Sequence, residues 1–133
     1  MGRQVETNMK ILIFGLPGSG KTTLAKPLAE LLNGVHVNTD SVNEEKNIKY
    51  VAEGVVMSNK IAVIDCIAST DSIRKHIDAD FNIWMDTIKN SNYKYERPYN
   101  AYVDYHVSKW FSDTHEVLFP VVQRWMERNI GVL

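Results

Sequence analysis

Gly15-Leu16-Pro17-Gly18-Ser19-Gly20-Lys21-Thr22 follows directly on the apolar run Lys10-Ile11-Leu12-Ile13-Phe14. A short continuous run of this kind, ending at glycine, predicts a parallel strand covered on both faces and central in its sheet. Beyond the glycine-rich turn, Leu24, Leu28, Leu31 and Leu32 recur at helical spacing up to a stop at Asn33-Gly34. Strand, turn and helix N-terminus together aim successive backbone N–H groups at one point, which makes an anion site. All eight residues satisfy G-x-x-x-x-G-K-[ST], and chance supplies such a match in only about 3 in 1,000 chains of this make-up. The segment is therefore read as a phosphate loop, and everything else is placed around it.

The rest of the chain alternates in the same way. Val35-His36-Val37 reads as a second strand, and Ser41 with Glu44 forms a capping box ahead of Ile48, Val51, Ala52, Val55 and Val56. Ile61 to Ile64 predicts a third strand leading into Asp65, followed by a short helix carrying Ile73 and Ile77 and capped by Ser69 or Thr70. Phe81 to Met85 and Ala101 to Val107 give two more strands, and Val117, Leu118, Val121, Val122, Trp125 and Met126 line one face of a last helix ending near Gly131. Pro27 and Pro120 fall inside helices and should bend them. Repeated strand–helix–strand units predict a three-layer α/β fold of about five parallel strands, with helices on both faces.

Composition limits what such a fold can serve. One domain is expected from 133 residues, with 1–8 a polar N-terminal extension and 9–133 the folded unit. A net charge of −1 offers no basic field for nucleic acid or an anionic membrane, so any polyanion must be held locally. Nothing reaches the apolar length of a membrane span or a signal peptide, and Glu6 stands where a myristoylation signal needs Ser or Thr. The lone Cys66 excludes an intramolecular disulfide framework and points to a reducing, cytoplasmic setting. Association into a homodimer is left open.

The loop chemistry names candidate residues. Gly15, Pro17, Gly18, Ser19, Gly20, Lys21, Thr22 and Thr23 would form the nucleotide site, with Lys21 reaching the β- and γ-phosphates and the Thr22 hydroxyl on Mg²⁺. Such a cation also wants a carboxylate, and Asp40 and Asp65 both stand at the carboxyl ends of strands, where ligands bind in open parallel sheets. Asp40 reads either as a cation- or acceptor-orienting carboxylate or as a helix cap beside Ser41; Asp65 reads either as a metal-side group or as an ordinary strand end. No Asn-Lys-x-Asp guanine-selecting tetrapeptide is present, since Thr87-Ile88-Lys89-Asn90 does not supply one, so ATP is expected over GTP. His36, His76, His106 and His115 are scattered singly without metal-ligand spacing and read as structural or solvated. Trp84 and Cys66 read as core, and the cluster Tyr93, Tyr95, Tyr99, Tyr102 and Tyr105 as packing over the sheet edge, with stacking on a base as the alternative.

Beyond the loop, an ordered series of short motifs resembles the adenylyl-sulfate kinase family, P-loop kinases that move the ATP γ-phosphate to the 3′-hydroxyl of adenylyl sulfate. Asn38-Thr39-Asp40 sits where that family has Asp-Gly-Asp, and Lys46-Asn47-Ile48-Lys49 resembles its Glu-Asn-Ile-Arg. Ile67-Ala68-Ser69 stands for Ile-Ser-Pro with Arg74 matching an arginine a few residues on, Met85-Asp86-Thr87 for Val-Asp-Thr, and Tyr95-Glu96-Arg97-Pro98 for Tyr-Glu-Ala-Pro. The resemblance implies a P-loop NTPase fold, ATP and Mg²⁺ as cofactors, Lys21 and Asp40 as catalytic residues, and Asn47, Lys49, Ile67, Ala68 and Arg74 on the acceptor.

Two departures stand beside it. Asn43 and Asp71 occupy places where the family has anion-binding arginines. The basic lid between the last two motifs is also missing, because only residues 88–94 separate them and the fourteen residues between Asp86 and Ala101 are all used by a parallel crossover, which takes about a dozen. The sequence thus predicts a small-molecule kinase. Its alternatives are a same-fold kinase for another hydroxyl acceptor, such as a nucleoside or nucleotide, and a lidless, catalytically weak nucleotide-binding protein.

Overall fold

The computed structural model describes residues 9–38, 47–58, 60–68, 70–88, 103–109 and 114–129. Along these, β1 (Lys10–Phe14), α1 (Lys21–Leu31), β2 (Val35–Asn38), α2 (Ile48–Met57), β3 (Ala62–Cys66), α3 (Asp71–Ile77), β4 (Phe81–Met85), β5 (Tyr105–Val107) and α4 (Thr114–Asn129) follow in order. The strands form one sheet, β2-β3-β1-β4-β5, in which every neighbouring pair is parallel. The run ahead of the phosphate loop is thus the middle strand, as its two-sided apolarity requires.

Alternation along each strand divides the core in two. Ile11, Ile13, Val63, Ile83 and Met85 pack with Leu24, Leu28, Leu118 and Val122 of α1 and α4. Leu12, Phe14, Ile64, Cys66 and Trp84 pack with Ile48, Ala52 and Ile77 of α2 and α3. Cys66 and Trp84 are core residues, as read from the sequence, and Tyr105 packs partly buried against the α1–α4 side.

Helix α1 runs through Pro27 and α4 through Pro120, as the sequence places them, and each proline removes one backbone donor without ending its helix. Two strand boundaries differ from the sequence expectation. Strand β3 continues past Ile64, because Asp65 and Cys66 stay in register with Ile13 and Phe14. Strand β5 is shorter than predicted. Asp104 replaces the ladder with its own side chain, accepting from Asn82 N at 2.8 Å while its amide donates to Asn82 O at 2.9 Å. The cap of α3 is Thr70, whose hydroxyl accepts from Ile73 N at 3.2 Å. The predicted capping box at Ser41 and Glu44, Ser69, Asp40, Asn43 and the stretch expected to lack a lid lie outside the described residues. Among the described residues no helix is long and apolar enough to cross a membrane.

Candidate functional site

The phosphate loop leaves the C-terminal end of β1 and is shaped by what surrounds it. Gly15 is pressed against β4: a Cβ there would lie 2.4 Å from Met85 O and 2.8 Å from Ser19 Oγ, so only glycine fits. Gly18 and Gly20 take φ values of 86° and 96°, where a side chain would be strained. The loop closes on itself through Ser19 N donating to Leu16 O at 3.1 Å. Gly20 then caps α1 without a side-chain hydrogen bond, so the first-turn amides have no intrahelical acceptor. The Lys21 ammonium folds back over the loop and donates to Leu16 O at 3.0 Å.

The loop is also fastened from outside. The Thr87 hydroxyl donates to Ser19 O at 2.7 Å, and the Ile88 side chain packs beside Gly18. Ser19 itself is 2% exposed, and its Oγ is the one buried side-chain polar atom without a hydrogen-bond partner among the described residues. Leaving a buried hydroxyl unpaired costs about 1–3 kcal/mol. An orphaned donor inside a glycine loop fits an anion that accepts from it.

On the β3 side, the Thr22 hydroxyl donates to Asp65 Oδ2. Asp65 is 3% exposed and sits in register with Ile13, directly beside the strand that feeds the loop. The same oxygen accepts from His36 Nε2 at 3.2 Å. A hydroxyl and a buried carboxylate at the start of α1 are hard oxygen donors of the kind Mg²⁺ takes, and the ion commonly keeps waters and substrate phosphates for its remaining positions. These residues fit the cation implied by the loop.

On the β4 side a second buried carboxylate, Asp86, accepts from His106 Nε2 at 2.8 Å, and its amide donates to Val107 O. The His106 ring stacks on Trp84 at 4.6 Å, and Trp84 stacks in turn on Phe14 at 6.2 Å. The Arg74 guanidinium lies over the other end of this row, 4.9 Å from the Phe14 centroid, and donates to Ala68 O at 2.6 Å. Burial lowers the Arg74 pKa from its ordinary value, against the weaker pull of Asp71. Arg74 makes no ion pair with a carboxylate among the described residues. Ala68 takes a positive φ of 40°, a strained setting for a residue with a Cβ.

The structure therefore brings together Gly15 to Thr22 with Asp65, and separately Ala68 with Arg74, Ile67 standing half-buried beside Ala68. Thr23 is exposed on the first turn of α1. The side chains of Asn47 and Lys49, at the start of α2, make no hydrogen bond or ion pair with the other described residues. Two of the histidines read as structural or solvated, His36 and His106, hold buried aspartates at strand ends. Their sequence context carries no signal for this, because the pairing depends on strand order.

A model of the AAA domain matches residues 11–122, most of the chain and the whole of the loop. The chain belongs to the AAA domain family. No curated protein sequence matches it. The crystal structure of APE1195 is similar in fold, with a TM-score of 0.69 at 16% identity, over 96% of this chain and 99% of that one. So is the Mycobacterium tuberculosis APS kinase CysC: a mutant superposes with a TM-score of 0.65 at 15% identity, over 86% of this chain and 96% of that one. The CysC complex with AMPPNP and APS gives 0.66 at 11% identity, over 86% and 97%. For this AAA domain protein the likeness establishes the α/β P-loop NTPase fold. Identities this low leave the particular activity, and the adenylyl-sulfate kinase resemblance, to be argued from the site.

Proposed function

We propose that the protein is an ATP- and Mg²⁺-dependent small-molecule kinase that transfers the γ-phosphate to a hydroxyl acceptor, adenylyl sulfate being the acceptor that the ordered motifs favour. The observation that carries this reading is the junction of the phosphate loop with Thr22 and buried Asp65, with the unpaired Ser19 hydroxyl inside the loop. Loop amides and Ser19 would bind the phosphates, and Lys21 would exchange Leu16 O for a phosphate oxygen and balance charge on the transferring group. Thr22 and Asp65 would hold Mg²⁺, which supplies charge neutralisation across the phosphates when bound. Asp40 is assigned to the cation or to orienting the acceptor hydroxyl, and Arg74, a half-buried cation without a carboxylate partner among the described residues, to an anionic part of the acceptor. Ile67, Ala68, Asn47 and Lys49 complete the proposed acceptor side. With no basic field and one buried cysteine, we place the protein in the cytoplasm, acting on small molecules rather than on nucleic acid or membrane.

A second reading, the same chemistry on another acceptor such as a nucleoside or nucleotide, is favoured by Asp71. It stands where an anion-binding arginine is expected and turns its carboxylate to Lys75 at 2.9 Å. Calorimetry with ATP and adenylyl sulfate titrated separately, followed by mass spectrometry of products from Mg²⁺-ATP and a panel of acceptors, tests both. Binding of both ligands with phosphorylated adenylyl sulfate supports the first reading. ATP binding with transfer to another hydroxyl supports the second. ATP binding with no transfer to any acceptor reduces the protein to a nucleotide-binding module, and failure to bind ATP removes the kinase reading.

A further inference from the structure

Asp65 is one of two buried carboxylates flanking the phosphate loop, and its geometry is set from the far edge of the sheet. In the β2–β3 ladder His36 lies opposite Val63 and Asn38 opposite Asp65, so the imidazole reaches diagonally along one face to Asp65 Oδ2. Long side chains span such diagonals in a sheet. An ionised carboxylate only accepts, so His36 Nε2 carries the proton in this contact. Oδ2 thus has two donors, Thr22 and His36, while Oδ1 accepts no hydrogen bond from the described residues. Both partners are well shielded, with 15% of the His36 side chain and 5% of the Asp65 side chain exposed. A carboxylate held by two donors on one oxygen has a fixed rotation, and the oxygen it presents to a cation or its waters is always the other.

We propose that His36 is a positioning residue for the metal carboxylate: it orients Asp65 so that Oδ1 faces the nucleotide's divalent cation, and it strengthens binding of the cation-bearing nucleotide without touching nucleotide or metal. The inference rests on the reading of the loop, Thr22 and Asp65 as a Mg²⁺-nucleotide site. Groups that hold a metal-supporting side chain in place typically change metal affinity by about 10–100-fold when removed. The phosphates bind through the loop, which His36 does not contact among the described hydrogen bonds. Loss of the imidazole should therefore weaken the Mg²⁺-dependent part of nucleotide affinity alone.

The experiment is calorimetry of the full chain with a non-hydrolysable ATP analogue, in Mg²⁺ and in EDTA. His36→Gln places an amide N–H near the position of Nε2, whereas the shorter His36→Asn does not reach Asp65; both are polar and suit a half-buried strand position. His36→Asn is expected to lose about 10–100-fold in affinity for the Mg²⁺ form and to match the wild type within about twofold in EDTA, while His36→Gln keeps most of the Mg²⁺ enhancement. In an Asp65→Asn background, His36→Asn should add no further loss, because the coupled pair is already broken. Equal losses of affinity with and without Mg²⁺, no loss at all, or a full effect persisting in the Asp65→Asn background each overturn the proposal. A wild type that binds the analogue equally well in both conditions overturns it while sparing the phosphate loop. A wild type that binds in neither condition overturns the loop reading, and this inference with it.

Discussion

Gly15→Ala and Gly54→Ala are the same chemical change with opposite expected signs. At Gly15 the new methyl group would sit 2.4 Å from Met85 O and 2.8 Å from Ser19 Oγ. An ordinary carbon–oxygen contact needs roughly 3.3 Å, so the carbonyl must retreat by about 1 Å. That carbonyl belongs to the last residue of β4, which is held on its other side by pairing with Val107 of β5, so the retreat strains the ladder. Overpacking of this kind costs about 1–3 kcal/mol, partly offset by the 0.4–1 kcal/mol that alanine contributes by restricting the unfolded chain. The net is about 1–2 kcal/mol of destabilisation, and in a chain of this size each kcal/mol moves Tm by about 3–5 °C. At Gly54, in the exposed middle of α2, a Cβ meets nothing within 4 Å. Alanine there should stabilise by about 0.5–1 kcal/mol from helix propensity. Thermal unfolding followed by circular dichroism should therefore show Gly15→Ala melting about 3–10 °C below the wild type and Gly54→Ala about 2–5 °C above it. A Gly15→Ala protein that melts at or above the wild-type temperature would refute the claim that β1 and β4 are pressed together at the mouth of the loop.

Lys21→Ala should abolish ATP turnover while leaving the fold intact by circular dichroism; retained phosphate release would sink the assignment. Arg74→Lys should leave ATP affinity unchanged but raise the KM for the acceptor at least about tenfold, since lysine cannot keep both the planar face on Phe14 and the bond to Ala68 O; unchanged acceptor kinetics would remove Arg74 from that role. Asp71 has its pKa held below the ordinary value, chiefly by the hydrogen bond from Lys75. Its folded pKa is depressed, so whatever the pair contributes is present at neutral pH and is lost as pH falls through that lowered value. The pair is largely exposed and screened, so Asp71→Asn should shift Tm only slightly at pH 7 and not at all in strong acid; a difference that grows on acidification would contradict this sign.

What was legible in the sequence was the part that local pattern determines. The bounds of β1 and β4 agree with the apolar runs Lys10 to Phe14 and Phe81 to Met85, because strands buried on both faces need no alternation to announce them. The loop was legible because each of its glycines answers a local demand: contact with a neighbouring strand, or a left-handed backbone. The end of β3 was harder to place, since Asp65 looks like a polar stop although it continues the ladder beside Ile13. The histidine contacts were not legible at all. His36 and Asp65 are 29 residues apart and His106 and Asp86 are 20 apart, and no spacing rule connects them until strand order is known.

Strand order also separates two carboxylates that look alike. Asp65 and Asp86 are both buried at the C-terminal ends of strands flanking β1, and each accepts from a histidine on the next strand outward. Burying two negative groups beside a polyanion site is costly unless each has a compensating partner. Their relation to the loop differs. Asp65 accepts from Thr22, the first-turn hydroxyl of the loop helix, whereas from β4 the loop is met by the neighbouring Thr87 hydroxyl, which donates to Ser19 O. The Asp86 carboxylate accepts from His106, whose ring is stacked on Trp84. A cation near Thr22 would relieve the charge of Asp65. This asymmetry supports Asp65 as the carboxylate on the cation side.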